Sequence, residues 1–274
     1  MLKLRILTAL FLIPLFVSGV LILDSTGFSV LMASVMAMAA WEWAFISGYK
    51  NIQLRAAYVL LVLFILLLVF IFHSSYIFYI LTSVALVWWS CALILVFRYQ
   101  KYERIEFLKP QVNLMIGLIV LIPACVSAVV LHAYEPDAIN RVLFLFVLIW
   151  SADIAAYFSG RRWGKHKLCS KVSPGKSWEG VYGALASSVL MALIYAKWSH
   201  WQGVELFILM SICIITVLAS ILGDLLESLM KRINNVKDSG SILPGHGGVL
   251  DRIDSLTAAL PVFLFSFWLW EKLR

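Results

Sequence analysis

The sequence predicts an all-α, polytopic integral membrane protein with about nine transmembrane helices and a cytoplasmic N-terminus. Three observations carry this reading: the composition, the spacing of the apolar runs and the distribution of positive charge. Of 274 residues, 62% are hydrophobic and 14% are charged, against about 45–50% apolar and about 25% charged in an average soluble domain. This excludes a disordered chain and a small disulfide scaffold, and argues against a water-soluble globular enzyme. A membrane-spanning helix needs about 20 apolar residues, so the apolar content suffices for eight or nine spans with little left over.

The apolar runs fall at about 4–23, 28–47, 56–72, 76–97, 112–132, 142–159, 180–198, 205–226 and 256–271. Backbone groups in lipid need partners within their own segment, and none of these runs alternates like a barrel strand, so each is expected to be helical. The first run follows Lys3 and Arg5 but lacks a clean small-x-small cleavage site, so it reads as an uncleaved first span rather than a signal peptide.

With the N-terminus inside, 18 of the 22 Lys and Arg residues lie on the cytoplasmic side and four (Arg141, Lys197, Lys272 and Arg274) on the other. This is the positive-inside bias expected of nine spans; adding or removing one span destroys it. The net charge of +7 is therefore assigned to membrane topology, and no nucleic-acid partner is expected. Cys91, Cys125, Cys169 and Cys213 are scattered without a C-x-x-C pair and read as small residues in packed helices. There is no internal repeat, so residues 1–274 are expected to form one membrane-embedded domain.

Two cytoplasmic loops stand apart. One, from Gly160 to Glu179, is basic and contains Gly, Ser and Pro; the other, from about Glu227 to Asp254, mixes both charge signs with glycines. Four carboxylates fall inside spans: Glu42, Asp153, Asp224 and Glu227. Such groups are costly in lipid and mark candidate functional sites. Each lies late in a span that runs from outside to inside, so all four approach the face that carries the two loops. For Glu42, between Trp41 and Trp43, a packing salt bridge and a functional role remain equally open.

At the end of the eighth span, Asp224, Glu227, Ser228 and Lys231 recur at spacings of three and four and share a helix face; Arg232 follows. Such a face suits a hard cation and a phosphate together, or an interfacial charge cluster that fixes helix depth. The following loop favours the first reading. It runs Lys237-Asp238-Ser239-Gly240, Leu243-Pro244-Gly245-His246-Gly247-Gly248 and Asp251-Arg252-Ile253-Asp254. Glycines allow backbone N–H groups to approach a ligand closely, and Asp251 and Asp254 are placed to join Asp224 around a cation.

Ser228 to Asp254 resembles the phosphatidate cytidylyltransferase family signature S-x-(apolar)-K-R-x4-K-D-x-G-x2-(apolar)-P-x-H-G-G-(apolar)-x-D-R-(apolar)-D. Ser228, Lys231, Arg232, Lys237, Asp238, Gly240, Pro244, His246, Gly247, Gly248, Asp251, Arg252 and Asp254 match it, with Met230, Leu243, Val249 and Ile253 at the apolar positions. Asp153, Tyr157, Gly160, Gly164-Lys165-His166-Lys167 and Ser173-Pro174-Gly175-Lys176-Ser177-Trp178-Glu179-Gly180 resemble the same family's middle region.

The resemblance implies a bacterial inner-membrane enzyme, a homodimer, that joins CTP to phosphatidic acid with Mg²⁺, giving CDP-diacylglycerol and pyrophosphate. On it, Ser228, Lys231, Arg232, Lys237, Asp238, His246 and Arg252 are the candidate catalytic residues. Asp153, Lys165, Lys167, Lys176 and Ser177 are candidate substrate-binding residues, and Asp224, Asp251 and Asp254 are candidate metal ligands, with room for a second cation. A secondary transporter is the competing class. Transporters usually bind near the midplane, often between repeated halves, whereas these acids approach one face and no repeat is present.

Overall fold

The computed structural model describes residues 2–72, 74–105, 108–133, 137–243, 245 and 247–273. Among these residues the chain forms nine α-helices: α1 (Leu2–Ile22), α2 (Ser25–Ile46), α3 (Ile52–Ile71), α4 (Ser75–Tyr102), α5 (Pro110–Ala133), α6 (Ala138–Trp163), α7 (Trp178–Trp198), α8 (Val204–Ile233) and α9 (Leu250–Leu273). Helices α2 to α9 are long and apolar enough to cross a membrane, and α1 contributes the apolar stretch Leu12–Ile22. The protein is a multi-pass, all-α membrane protein, and each apolar run of the sequence matches a helix to within a residue at the helix ends.

Four helices outrun their apolar cores. α4 continues to Tyr102, α6 to Trp163 and α8 to Ile233, while α9 begins at Leu250. The 30 residues of α8 make a rod about 45 Å long, against about 30 Å of bilayer hydrocarbon. The expected loop at Gly160–Glu179 is more ordered than its composition suggests. After α6 it forms an antiparallel hairpin of β1 (Lys167–Cys169) and β2 (Ser173–Ser177), with Lys167 opposite Ser177, and then enters α7.

The chain divides into two compact units. The first comprises Met1–Ala85, Glu106–Leu143 and Met230–Asp254; the second comprises Leu86–Ile105, Phe144–Leu229 and Ser255–Arg274. In the first, α2 packs against α3 and α5. Gly117 of α5 admits the close approach, because a Cβ there would lie 2.4 Å from both the Trp43 ring and the Tyr58 hydroxyl. Trp43 Nε1 donates to Asn113 O (2.8 Å) and the Tyr58 hydroxyl to Leu114 O (2.9 Å). The Trp43 bond ties α2 to α5 one residue from Glu42, and the Tyr58 bond ties α3 to the same helix.

Candidate active site

In the first unit, the end of α8, the signature loop and the start of α9 close around two carboxylates. α8 stops in a Schellman turn. Asn235 takes φ +54°, its N–H donates to Arg232 O (3.1 Å), and Val236 N–H donates to Lys231 O (2.9 Å), satisfying carbonyls that the helix end leaves open. The chain then reaches Ser239, which is fully buried. Its backbone N–H donates to both Asp251 oxygens (3.3 and 3.2 Å) and its hydroxyl to Glu42 Oε2 (3.0 Å).

Glu42 is fully buried and also accepts the Leu250 N–H at 2.8 Å. Leu250 opens α9, so a carboxylate 208 positions away along the chain satisfies an orphan donor and complements the helix dipole. Asp251 accepts from Lys231 Nζ at 2.8 Å and from Gly248 N–H at 2.9 Å. Two of the loop's glycines have a packing role. A Cβ on Gly240 would lie 2.4 Å from Glu42 Oε1, and one on Gly248 would lie 2.0 Å from the Ser239 hydroxyl and 2.3 Å from Glu42 Oε2. The room that these glycines leave is filled by the Glu42 carboxylate and the Ser239 hydroxyl, and the Gly248 N–H is committed to Asp251. Arg232, Lys237, Asp238 and Arg252 are exposed, and Asp254 is half-buried one turn after Asp251. Pro244 and His246 lie outside the described residues.

The second unit holds the other cluster. Lys176 of β2 reaches Asp224 of α8, with Nζ 2.8 Å from Oδ2, and also donates to Ile221 O at 3.4 Å. Ser228, one turn on from Asp224, donates its hydroxyl to Asp224 Oδ1 at 3.2 Å. Asp153 of α6 lies within electrostatic range of both Asp224 and Lys176. Glu227, expected on the same helix face, is buried. Ser177 is the N-cap of α7: its hydroxyl oxygen accepts the Gly180 N–H at 3.2 Å, a structural use for a residue expected to bind substrate. Glu179 accepts from the His166 backbone N–H (3.2 Å) and lies 2.7 Å from His166 Nδ1, tying the hairpin to the first turn of α7. Lys165 and Lys167 are exposed. Cys169, beside the hairpin turn, is buried, which pushes its thiol pKa up.

The structure thus joins Asp224 to Ser228 and Lys176, and Asp251 to Lys231. Among the described residues, no three His, Cys, Asp or Glu side chains converge as a closed metal cage. Sequence reasoning singled out Glu42 without finding its partners, because they are far away in the chain.

A family model described as "Cytidylyltransferase family" matches residues 3–270. The chain belongs to the cytidylyltransferase family. A Pseudomonas aeruginosa protein named phosphatidate cytidylyltransferase is 43% identical over 269 residues, covering 98% of this chain and 97% of the relative. A Haemophilus influenzae protein of the same name is 37% identical over 289 residues, covering 98% and 99%. One from Staphylococcus saprophyticus is 42% identical over 132 residues, covering 48% of this chain and 50% of its own.

Proposed function

We propose that this membrane-embedded nucleotidyltransferase transfers the cytidylyl group of CTP to phosphatidate, giving CDP-diacylglycerol and pyrophosphate. The observation that carries the site assignment is the half-buried Asp224, which keeps both an ammonium and a hydroxyl at hydrogen-bond distance. In the reaction a lipid phosphate oxygen attacks the α-phosphorus of CTP. The bond from that phosphorus to the oxygen bridging to the β-phosphorus breaks, and pyrophosphate leaves in line. No protein nucleophile is required, because the lipid phosphate is the nucleophile. The protein has to position two anions and neutralise their charge.

Lys176 and the Ser228 hydroxyl supply donors to phosphate oxygens beside Asp224. Arg232, Lys237 and Arg252 supply the cationic surface of the signature segment, with Lys231 behind it on Asp251. Asp238 and His246 order the loop or contact the nucleotide, and Lys165 and Lys167 attract anionic headgroups. Mg²⁺ is usually held by one or two carboxylates together with substrate phosphates. Asp224 and Asp153 fit that habit, as two hard-oxygen groups sharing one nearby ammonium. Asp251 and Asp254, in the first unit, are a separate pair of candidate ligands, and at Asp251 coordination would displace an existing hydrogen bond. The ion, when bound, neutralises charge on the phosphate oxygens.

The charge asymmetry between the two faces supports a site that opens on the cytoplasm of a bacterial inner membrane, where CTP is available. We further propose a homodimer, to be checked by native mass spectrometry. The test of function is purified protein with phosphatidate and CTP labelled at its α-phosphorus, with and without Mg²⁺. The expected result is label in a lipid-extractable product, matched by pyrophosphate, only when Mg²⁺ is present. No lipid label, together with solute flux into vesicles in the absence of CTP, would overturn the reading in favour of a transporter.

A further inference from the structure

The second unit contains an apolar groove of about 770 Å³, within the roughly 300–1,000 Å³ range of ligand sites. Its walls come from α4, β1, the start of α7, α8 and α9. The α8 wall runs from Ile208 to Leu225, about 25 Å of helix. Ser90 and Ser211 are among the few polar lining residues, and each donates its hydroxyl to a carbonyl of its own helix (3.0 and 2.9 Å). The groove therefore offers a ligand little but hydrocarbon contact.

One end is different. Ile221 lines the groove, and its carbonyl accepts from Lys176 Nζ, which also pairs with Asp224. Trp178 lines the same end, directly after the hairpin that carries Lys176; aromatic rings of this kind sit at headgroup level. An apolar trough with an ammonium bonded to the backbone of one wall suits a lipid whose phosphate lies beside that ammonium.

We infer that this groove is the acyl-chain site of the lipid substrate, holding a fatty chain of phosphatidate while its phosphate lies against Lys176. The inference rests on the lipid substrate proposed above and adds where its hydrocarbon goes. Ser211 lies ten residues before Ile221, about 15 Å along α8, so a long acyl chain passes it and a short one stops before it.

The test compares dioctanoyl and dipalmitoyl phosphatidate on wild-type protein and on Ser211→Trp. The variant is expected to raise the KM for the dipalmitoyl lipid about tenfold, the equivalent of losing a couple of buried methylenes. The KM for CTP and the turnover of the dioctanoyl lipid should stay within about twofold. Independently of any variant, a phosphatidate with a photoactivatable diazirine at its acyl terminus should label α8 and α9 of the wild-type protein. An equal effect on both chain lengths, no effect on either, labelling confined to α1–α3, or cross-links between two protomers across this face would overturn the inference. Failure of the wild-type protein to turn over either lipid would instead overturn the proposed reaction itself.

Discussion

Asp224 and Asp251 are both paired with a lysine at 2.8 Å, yet their surroundings differ. The Asp251 side chain is 10% exposed and its partner Lys231 14%, whereas Asp224 is 34% exposed and Lys176 24%. Asp251 spends its oxygens on an ammonium and two backbone N–H groups. Asp224 accepts from one ammonium and one hydroxyl and has a second carboxylate nearby. A carboxylate with few vacant lone-pair positions holds a loop in shape. One with acceptor capacity left and an open side can take a ligand. Glu42 and Asp251 therefore frame the signature loop in the first unit, and Asp224 is the reactive edge of the second.

This difference sharpens into graded expectations. Asp251→Ala should have the largest effect, because it removes the carboxylate that a mostly buried Lys231 and two loop N–H groups share, and so releases the loop. Breaking such a pair costs about 3–5 kcal/mol, so thermal unfolding in detergent should show a clearly lower Tm together with lost turnover. A variant that keeps its Tm and loses only activity would move Asp251 to the reactive edge. Glu42→Ala comes next. It orphans the Leu250 N–H and the Ser239 hydroxyl at about 1–3 kcal/mol per buried group, and amide exchange at the start of α9 should rise, while Glu42→Gln keeps an acceptor and should recover most of the loss. Unchanged exchange in Glu42→Ala would remove Glu42 from the frame. The smallest effect belongs to Ser177→Ala, an N-cap loss of about 1 kcal/mol with kcat within about twofold; a tenfold fall in kcat at constant Tm would return Ser177 to substrate binding.

Much of the fold was legible in the sequence, because lipid enforces helices and marks them by hydropathy. What hydropathy misses is helix continuing beyond the bilayer. Leu229–Ile233 is helical although two of its five residues are basic, and only the Asp224–Ser228–Lys231 spacing hinted at this. The hairpin was not legible: β2 is Ser-Pro-Gly-Lys-Ser, a composition disfavoured in strands and tolerated at an edge. In the site, the Asp224–Ser228 contact could be read from i,i+4 spacing, whereas Lys176–Asp224 and Glu42–Leu250 depend on tertiary folding. The glycines suggested a cradle for a ligand, but in the structure two of them make room for Glu42.

The most direct test of the account is Asp224→Asn, assayed for Mg²⁺-dependent transfer of labelled CMP to phosphatidate alongside its Tm in detergent. Removing one charged oxygen from a half-open pair should leave Tm near the wild-type value while turnover falls by about 10²-fold or more. Wild-type turnover in a protein of unchanged Tm would contradict the assignment of the reactive edge.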